Sequence, residues 1–228
     1  MNIENNRISV LLSTYNNEKT IKDSIASILK QTYKNFELLI IDDGSEDNTL
    51  QICKSFSDSR IKLFKNDSNI GLTKSLNKVS QYATGKYLAR QDGDDISLNN
   101  RLQKQIAVFN KFDNLDIVTS RAYIKNSNRI IPKYRNYISY KILINYLNPF
   151  IHGTLMIKND SFIKLNRYNE NFIYAQDYKL FYDAIKLNMK IKVISEPIYI
   201  LNLENNISSN RREDQQYYAN CGRKNLLP

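Results

Sequence analysis

Short apolar runs alternate with segments of helical periodicity along the first half of the chain. The first run, residues 8–14, has the Ile, Val and Leu content of a buried strand and ends at a polar loop. The segment after it places Ile21, Ile25, Ile28 and Leu29 on one face of a helix. The same alternation predicts further strands at residues 36–41, 60–64, 85–91 and 116–119, with helices between them.

This alternation is typical of βαβ units, and it predicts an α/β domain with a mostly parallel sheet. In such sheets, ligands bind beyond the carboxyl ends of the strands. Three predicted strands end there in polar or acidic residues, namely Thr14 and Tyr15, Asp42 and Asp43, and Asp92 to Asp95. We therefore expect a binding site where these ends meet. The G-x-G-x-x-G turn is missing after the first strand, which disfavours a dinucleotide-binding enzyme.

The acidic turn at residues 92–95 is a candidate for metal chemistry. Asp92, Asp94 and Asp95 stand within four residues, and Gly93 leaves the backbone free to bend. Carboxylates this close repel one another unless a cation or a positive side chain holds them. Oxygen ligands on a turn suit a hard divalent ion such as Mg²⁺ or Mn²⁺. A surface turn without a ligand is the alternative, since Asp is common in turns.

The second half of the chain is less regular. Residues 121–135 are polar and mixed, and they predict a loop. A helix that opens near Asp177 is followed by a last strand at 191–194, which Pro197 is expected to end. From residue 204 to 228 the chain is polar and loses its periodicity, which predicts a mobile tail.

Charge narrows the classes of partner. The formal charge is 33 − 23 = +10, but the basic residues are spread along the chain rather than clustered. A general positive field favours phosphate-bearing partners, including the head groups of anionic lipids. The lack of a basic run disfavours nucleic-acid binding, which we do not expect.

Cysteine usage and the apolar runs indicate the compartment. Cys53 and Cys221 are too far apart for a metal-binding or redox spacing, and Cys53 lies on an apolar helix face as a plain buried thiol would. The polar N-terminal residues lack the apolar core of a signal peptide. No run approaches the ~18 apolar residues that a membrane span needs. We expect a cytoplasmic protein, with peripheral contact at the cytoplasmic face of an anionic membrane left open.

Five short motifs, each at a predicted strand end or helix start, carry a family resemblance. They are residues 13–16 with Glu18, residues 42–45, Asn69 and Gly71 with Asn77, residues 92–95, and residues 175–178. In this order they resemble the motifs of the inverting nucleotide-sugar glycosyltransferases of family 2. The resemblance implies the GT-A fold, a Rossmann-like, mostly parallel sheet flanked by helices with a smaller acceptor-side region. It also implies that residues 1–228 form a single domain, with a nucleotide-sugar-binding half (1–120), an acceptor-binding half (121–203) and the tail (204–228).

The resemblance implies a UDP-sugar donor and assigns residues to it. In the family, the loop after the first strand forms a wall of the base pocket, an acid after the second strand binds the imide N–H of uracil, and a later acid binds Mn²⁺ or Mg²⁺ at the diphosphate. The matching residues are Thr14, Tyr15 and Glu18 for the wall, Asp43 for uracil, Lys74 and Gly93 near the nucleotide, Asp92 for the ribose and Asp94 for the metal. A helix-preceding cap is the alternative for Asp43, and a solvated surface residue is the alternative for Lys74.

On the acceptor side, the resemblance implies one general base. An inverting transfer needs a single carboxylate that takes the proton of the acceptor hydroxyl, because the metal stands in for a general acid. Asp177 matches this base, and the alternative is an acid favoured by the helix dipole. Gln176 stands where relatives often carry an acid, and His152 matches an acceptor-side loop. Asp95 is expected to bind the metal or to brace the turn.

One departure from the family concerns the metal site. After the last strand many relatives have an aromatic-Arg-x-His pattern whose His can complete the coordination. Residues 201–204 contain neither Arg nor His. Asn202 or Glu204 could substitute, or Arg211 and Arg212 could fold over the diphosphate.

The sequence thus predicts a metal-dependent glycosyltransferase whose acceptor is a hydroxyl of a glycan, a lipid-linked saccharide or a protein. A nucleotidyltransferase is the alternative enzyme, although that class favours a Gly-rich basic loop after the first strand, where this chain has Tyr15, Asn16 and Asn17. A non-catalytic carbohydrate- or nucleotide-binding module is the alternative outside enzymes. The donor sugar, the acceptor and the oligomeric state do not follow from these residues.

Overall fold

The computed structural model describes residues 6–133, 139–204 and 211–228. Its strands are β1 (Ile8–Thr14), β2 (Phe36–Asp42), β3 (Ile61–Lys65), β4 (Tyr87–Asp92), β5 (Ile96–Ser97), β6 (Ile117–Ile124), β7 (Ile130–Ile131), β8 (Met156–Lys158) and β9 (Ile191–Leu201). Its helices are α1 (Ile21–Leu29), α2 (Thr49–Lys54), α3 (Leu72–Ser80), α4 (Arg101–Lys111), α5 (Tyr140–Leu143), α6 (Asn159–Lys164), α7 (Gln176–Lys186) and α8 (Arg212–Lys224). One turn of 3₁₀ helix, His152–Thr154, precedes β8.

The described strands form one mixed sheet in the order β3-β2-β1-β4-β8-β6-β9-β5, with β7 paired to β6. The half that comes first in the chain is parallel, because β1 pairs with β2 and β4, and β2 pairs with β3, all in the same direction. Antiparallel β8 joins β4 to β6, and β6 then runs parallel to β9. The predicted α/β class with a mostly parallel sheet is confirmed.

Both faces of the parallel half are covered by helices. Every residue of β1 and β2 is buried, as expected of strands with helices on each side. Val10 and Leu12 pack with α1 and α4 on one face, whereas Leu11 packs with α3 and α7 on the other. Cys53 is buried in the first of these clusters, which confirms the prediction of a plain buried thiol. The alternation matters for function, because it decides which side chains of β4 point towards α7.

The expectations of a loop at 121–135 and of a last strand ending before Pro197 were wrong. The first stretch contains the end of β6 and the short β7, and its residues 134 and 135 lie outside the described residues. The last strand continues through Pro197 to Leu201, and Pro197 pairs with Arg121 at a shift of register between β6 and β9. A bulge of this kind accepts a proline, because the residue there need not donate to the ladder.

The loss of periodicity that the sequence analysis described beyond residue 204 does not hold for most of the tail, although its mobility stays a prediction. Residues 212–224 form α8, in which Cys221 and Gly222 are buried. Tyr218 and Ala219 pack against the core cluster that includes Tyr178 and Tyr182 of α7. The helix was missed because its remaining residues are mostly polar, which hides the narrow apolar stripe. Residues 205–210 of the predicted tail lie outside the described residues, and the division of the domain at residue 120 stays a prediction.

Candidate active site

The carboxyl ends of β1, β2 and β4 meet at one edge of the sheet, as the sequence predicts. Thr14 at the end of β1 is in register with Asp42 of β2, and Ser13 is in register with Asp92 of β4. The polar residues that follow these three strands therefore surround a common space above the sheet.

The loop after β1 is held against α2. The hydroxyl of Thr14 donates to Oδ1 of Asn17 at 2.8 Å, and the N–H of Asn17 donates to the hydroxyl of Thr49 at 2.7 Å. The carboxylate of Glu18 accepts from the backbone N–H and the side-chain amide of Asn48 at 3.2 and 3.0 Å. Tyr15 remains 39% exposed at the edge of the sheet. Glu18 thus fixes the loop, and the exposed ring of Tyr15 is the part of it that can pack against a base.

Asp43 anchors the next loop, residues 66–71. Its carboxylate accepts from the N–H groups of Ile70 and Gly71 at 3.0 and 2.9 Å and from the amide of Asn66 at 2.7 Å. These bonds hold the loop that leads into α3 against the end of β2. Lys74 lies exposed on α3. Contact of Asp43 or Lys74 with a nucleotide stays a prediction.

The acidic turn after β4 is fastened to α1 and to the loop after β1. The hydroxyl of Ser24 donates to the carbonyl of Asp92 at 2.7 Å, and that of Thr20 donates to the carbonyl of Gly93 at 3.1 Å. A Cβ added at Gly93 would lie 2.8 Å from Oδ1 of Asn17. Only glycine permits this close approach, which brings the turn into contact with the first loop.

Charge accumulates in this turn. Burial and the neighbouring charge of Asp92 raise the pKa of Asp94 to about 6. Burial, followed by the charges of Asp92 and Asp94, also raises the pKa of Asp95. Crowded carboxylates of this kind favour a bound cation, so the oxygens of Asp94 and Asp92 fit a hard divalent ion. In the described parts of the chain, however, no three His, Cys, Asp or Glu residues are grouped so as to hold a metal ion. Most ligands of such an ion would have to come from elsewhere.

Arg90 is a site residue that the sequence analysis missed. It lies two positions before Asp92 on β4, so both side chains point to the face covered by α3 and α7. The guanidinium is 2% exposed and forms an ion pair with Asp92. The period of two along β4 could have revealed it, because an arginine within a buried strand needs a charged partner.

Asp177 lies in the first turn of α7, and its carboxylate oxygen Oδ2 accepts from the side-chain amide of Asn148 at 2.7 Å. The residue before this helix, Ala175, has a left-handed backbone with φ of 53°. Gln176 is buried beside it. Asn148 was not identified from the sequence, since a lone Asn in a loop has no distinguishing spacing.

His152 connects the two acidic parts of the site. Its Nε2 lies 2.7 Å from the hydroxyl of Tyr168. Burial and the charge of Arg90 lower the pKa of His152, while the charges of Asp177 and Asp92 oppose that change. Asp177 and Asp92 therefore both affect the charge state of this one imidazole. The same two acids also act on the hydroxyl of Tyr168. The segment around His152 contacts both parts directly, because Asn148 donates to Asp177 and the carbonyl of Leu155 accepts from the N–H of Arg90 on β4.

Two of the residues considered as replacements for the missing histidine, Asn202 and Arg211, have partners elsewhere in the structure. Asn202 donates its backbone N–H to Asp95, and its side-chain oxygen accepts from the N–H of Glu204 at 3.1 Å. Arg211 and Arg212 are exposed at the start of α8, and Arg211 lies 3.8 Å from Asp214. A role of these two arginines at the diphosphate stays a prediction. None of the described helices is long and apolar enough to cross a lipid bilayer.

Comparison with known proteins places this arrangement in a family. The family model described as Glycosyl transferase family 2 matches residues 9–184. The putative glycosyltransferase EpsE of Bacillus subtilis is 38% identical over 170 residues, which cover 71% of this chain and 60% of that protein. The Escherichia coli protein WfgD, named as a UDP-Glc:alpha-D-GlcNAc-diphosphoundecaprenol beta-1,3-glucosyltransferase, is 37% identical over 79% of this chain and 70% of its own length. The chain thus spans about two thirds of these relatives.

Solved structures show the same fold. S. aureus TarS superposes with a TM-score of 0.75 at 23% identity, covering 94% of this chain and 39% of TarS. The mannosyltransferase PcManGT from Pyrobaculum calidifontis, solved with GDP-Man and Mn²⁺, superposes with a TM-score of 0.72 at 16% identity, covering 92% of this chain and 61% of that one. With its sheet order, its acidic turn and its match to the family over most of its length, the chain belongs to glycosyl transferase family 2 and has the GT-A fold.

Proposed function

We propose that this glycosyltransferase moves a sugar from a UDP-sugar to a hydroxyl group with inversion at the anomeric carbon, with Asp177 as the general base and with Mn²⁺ or Mg²⁺ bound at Asp94. The observation that carries the proposal is that one short segment contacts both parts of the site: Asn148 donates to Asp177 at 2.7 Å, and the carbonyl of Leu155 accepts from the N–H of Arg90 on β4 at 2.9 Å. A leaving group held at the acidic turn and an acceptor beside Asp177 would thus share one cleft.

The residues divide the chemistry between them. Asp177 takes the proton of the acceptor hydroxyl while that oxygen attacks the anomeric carbon and the bond to the diphosphate breaks, so that UDP leaves with the electron pair. Asn148 binds only Oδ2 of Asp177, which leaves Oδ1 for the proton. Asp94, with Asp92 beside it, would hold the cation. When bound, that ion supplies positive charge to the diphosphate oxygens as negative charge develops there.

Arg90 contributes to the proposed donor site by orienting Asp92. Its ion pair with Asp92 orients that carboxylate while leaving Asp94 for the cation. Because Arg90 is buried, the pair is screened little by solvent and the orientation is well defined. A site whose ribose-binding acid is held in advance loses less conformational freedom when the donor binds.

The name of WfgD suggests the first substrates to try. That relative is named for transfer of glucose from UDP-Glc to a GlcNAc linked to diphosphoundecaprenol. We propose UDP-hexoses as donors and a lipid-linked saccharide as the acceptor class. The charge of +10 supports action at the cytoplasmic face of an anionic membrane, where such acceptors would be presented.

The test measures UDP release from a panel of UDP-sugars with diphospholipid-linked saccharides, in Mn²⁺, in Mg²⁺ and in EDTA. The proposal predicts release that needs both the acceptor and a divalent ion, and a product with the inverted anomeric configuration by NMR. The Asp94→Asn variant should need much more Mn²⁺ to bind UDP in calorimetry. Pyrophosphate release from a nucleoside triphosphate would instead favour a nucleotidyltransferase. Donor binding without turnover under every condition would favour a binding module.

A further inference from the structure

The backbone that carries His152 is held from several sides. The histidine opens a 3₁₀ turn, and the hydroxyl of Thr154 donates back to the carbonyl of Ile151 at 2.8 Å. A Cβ added at Gly153 would lie 2.5 Å from the hydroxyl oxygen of Tyr199, so the turn is packed directly against β9. The imidazole is half-buried. Its position is therefore set by the fold before any substrate arrives.

Tyr168 is also fixed in position, by bonds from Asn77 and by packing against Phe162. The side chain of Asn77 donates to the carbonyl of Tyr168 at 2.9 Å and accepts from its N–H at 3.0 Å. The tyrosine ring meets Phe162 edge to face at 5.3 Å and is 3% exposed. Asn77 was part of the sequence motif that the family resemblance used, and its role here is to clamp Tyr168.

The direction of the hydrogen bond between the two side chains follows from counting protons. The buried hydroxyl of Tyr168 has one proton to donate, and Nε2 of His152 is its partner in the described parts of the chain. If Nε2 carried a proton and donated, the hydroxyl proton of Tyr168 would be left buried without an acceptor, which is costly. Tyr168 therefore donates, and Nε2 accepts.

The charge states agree with this direction. Burial raises the pKa of Tyr168, so the hydroxyl keeps its proton. Burial and Arg90 lower the pKa of His152, so the imidazole is neutral near pH 7. The charged groups that act on the pair are Arg90, Asp92 and Asp177. A neutral imidazole whose Nε2 accepts must carry its proton on Nδ1.

We propose that Tyr168 is a positioning residue that locks His152 in the Nδ1–H tautomer, so that the imidazole presents a donor to a substrate oxygen beside Asp177. The inference rests on the proposed function for the nature of that oxygen, which is a hydroxyl or ring oxygen of the acceptor sugar. In the opposite tautomer, Nδ1 would carry a lone pair. It would then attract a hydrogen-bond donor of the substrate instead of an acceptor oxygen. The pair thus selects how the acceptor is oriented when Asp177 takes its proton.

The tautomer can be measured without any substrate. His152 is the only histidine of the chain, so a sample labelled with ¹⁵N-histidine and without a tag gives one imidazole in a long-range ¹H–¹⁵N spectrum. We expect a protonated Nδ1 and an unprotonated Nε2 at pH 7, and a mixture of tautomers in the Tyr168→Phe variant. A protonated Nε2 in the wild type, or an unchanged tautomer in the variant, would overturn the inference whether or not transfer is observed.

Kinetics then tests the use of the donor. When Asn replaces a histidine, its side-chain amide nitrogen lies near the former position of Nδ1. When Gln replaces it, the amide nitrogen lies near the former position of Nε2. Loss of one hydrogen bond predicts a rise of about 10-fold in the KM for acceptor in Tyr168→Phe and His152→Gln, with kcat and UDP affinity little changed. His152→Asn, which keeps a donor near Nδ1, should raise this KM less than His152→Gln does, and adding Tyr168→Phe to it should have no further effect.

The matched control is Tyr33→Phe, which removes a hydroxyl that donates to the carbonyl of Asn6 at 2.8 Å. It should leave the KM for acceptor and the tautomer unchanged. Equal losses in His152→Asn and His152→Gln, or an equal rise in KM from Tyr33→Phe, would contradict the proposed role.

Discussion

Asp95 accepts a hydrogen bond of 2.6 Å from the backbone N–H of Asn202, which ties the acidic turn after β4 to the end of β9. Tyr199 of β9 takes part as well, since its hydroxyl bonds to Asp95 and accepts from the N–H of Asp92 at 3.2 Å. Of the two roles expected for Asp95, this arrangement is that of a brace. The turn that would hold the leaving group is thereby supported by a strand from the far end of the domain.

The brace predicts a loss of stability when Asp95 is truncated. Asp95→Ala leaves the buried N–H of Asn202 without an acceptor, which should lower the free energy of unfolding by about 1–3 kcal/mol. Asp95→Asn keeps an acceptor oxygen and removes a charge that the site disfavours, so it should cost less. Urea unfolding at pH 7 checks both. The brace would be ruled out by an Asp95→Ala variant as stable as the wild type.

Gly93→Ala should weaken donor binding. Its new Cβ would lie 2.8 Å from Oδ1 of Asn17 and 3.1 Å from the hydroxyl of Thr14, so the Asn17 side chain, which bonds to Thr14 within the loop after β1, must shift away from the turn. We expect weaker UDP binding in calorimetry. Gly222→Ala in α8 is the control, because its Cβ would meet ordinary contacts and alanine favours a helix. Unchanged UDP affinity in Gly93→Ala would show that the two loops need not touch.

Stability should depend on pH through Glu37. Burial alone would raise the pKa of Glu37, but bonds from Lys62, Ser9 and Thr84 outweigh it and lower the pKa to about 2. A lowered pKa stabilises the fold at pH values above the unfolded-state pKa of about 4.5, and this contribution is lost as the pH falls towards 2.

Glu37→Gln should therefore destabilise the protein by about 3 kcal/mol at pH 7, and the difference from the wild type should shrink as the pH falls below 4.5. Urea titrations at pH 7, 5 and 4 measure it. A difference that stayed constant over this range would mean that the charge of Glu37 contributes nothing.

The sequence predicted the structure best for the strands that are buried on both faces of the sheet. The runs that became β1 and β2 are mostly apolar, with Ser9 and Glu37 as single polar positions, and each of β1, β2 and β4 leads into polar or acidic residues, so the sheet edge and its acids could be predicted.

Two of the residues that were missed, Tyr168 and Asn148, act through contacts distant in the sequence. Tyr168 is one of 16 tyrosines, and only its clamp by Asn77, which is 91 positions away, distinguishes it. Asn148 could not be identified from the sequence for the same reason, because its partner Asp177 is 29 positions away. The course of β9 through Pro197 was missed because a bulge is a property of the strand pair. Long-range pairing of this kind is not encoded in local periodicity.

The central claim is that Asp177 removes the proton of the acceptor while the acidic turn holds the donor. Asp177→Asn preserves the size of the side chain, and Asp183→Asn on the same helix, where Asp183 pairs with Lys179 at 2.6 Å, is the matched control. The most direct measurement compares UDP release with UDP affinity in both variants. We predict that Asp177→Asn lowers the rate of transfer by about 10²–10⁴-fold with UDP affinity unchanged, while Asp183→Asn keeps both. Transfer by Asp177→Asn at the rate of the wild type would contradict the account.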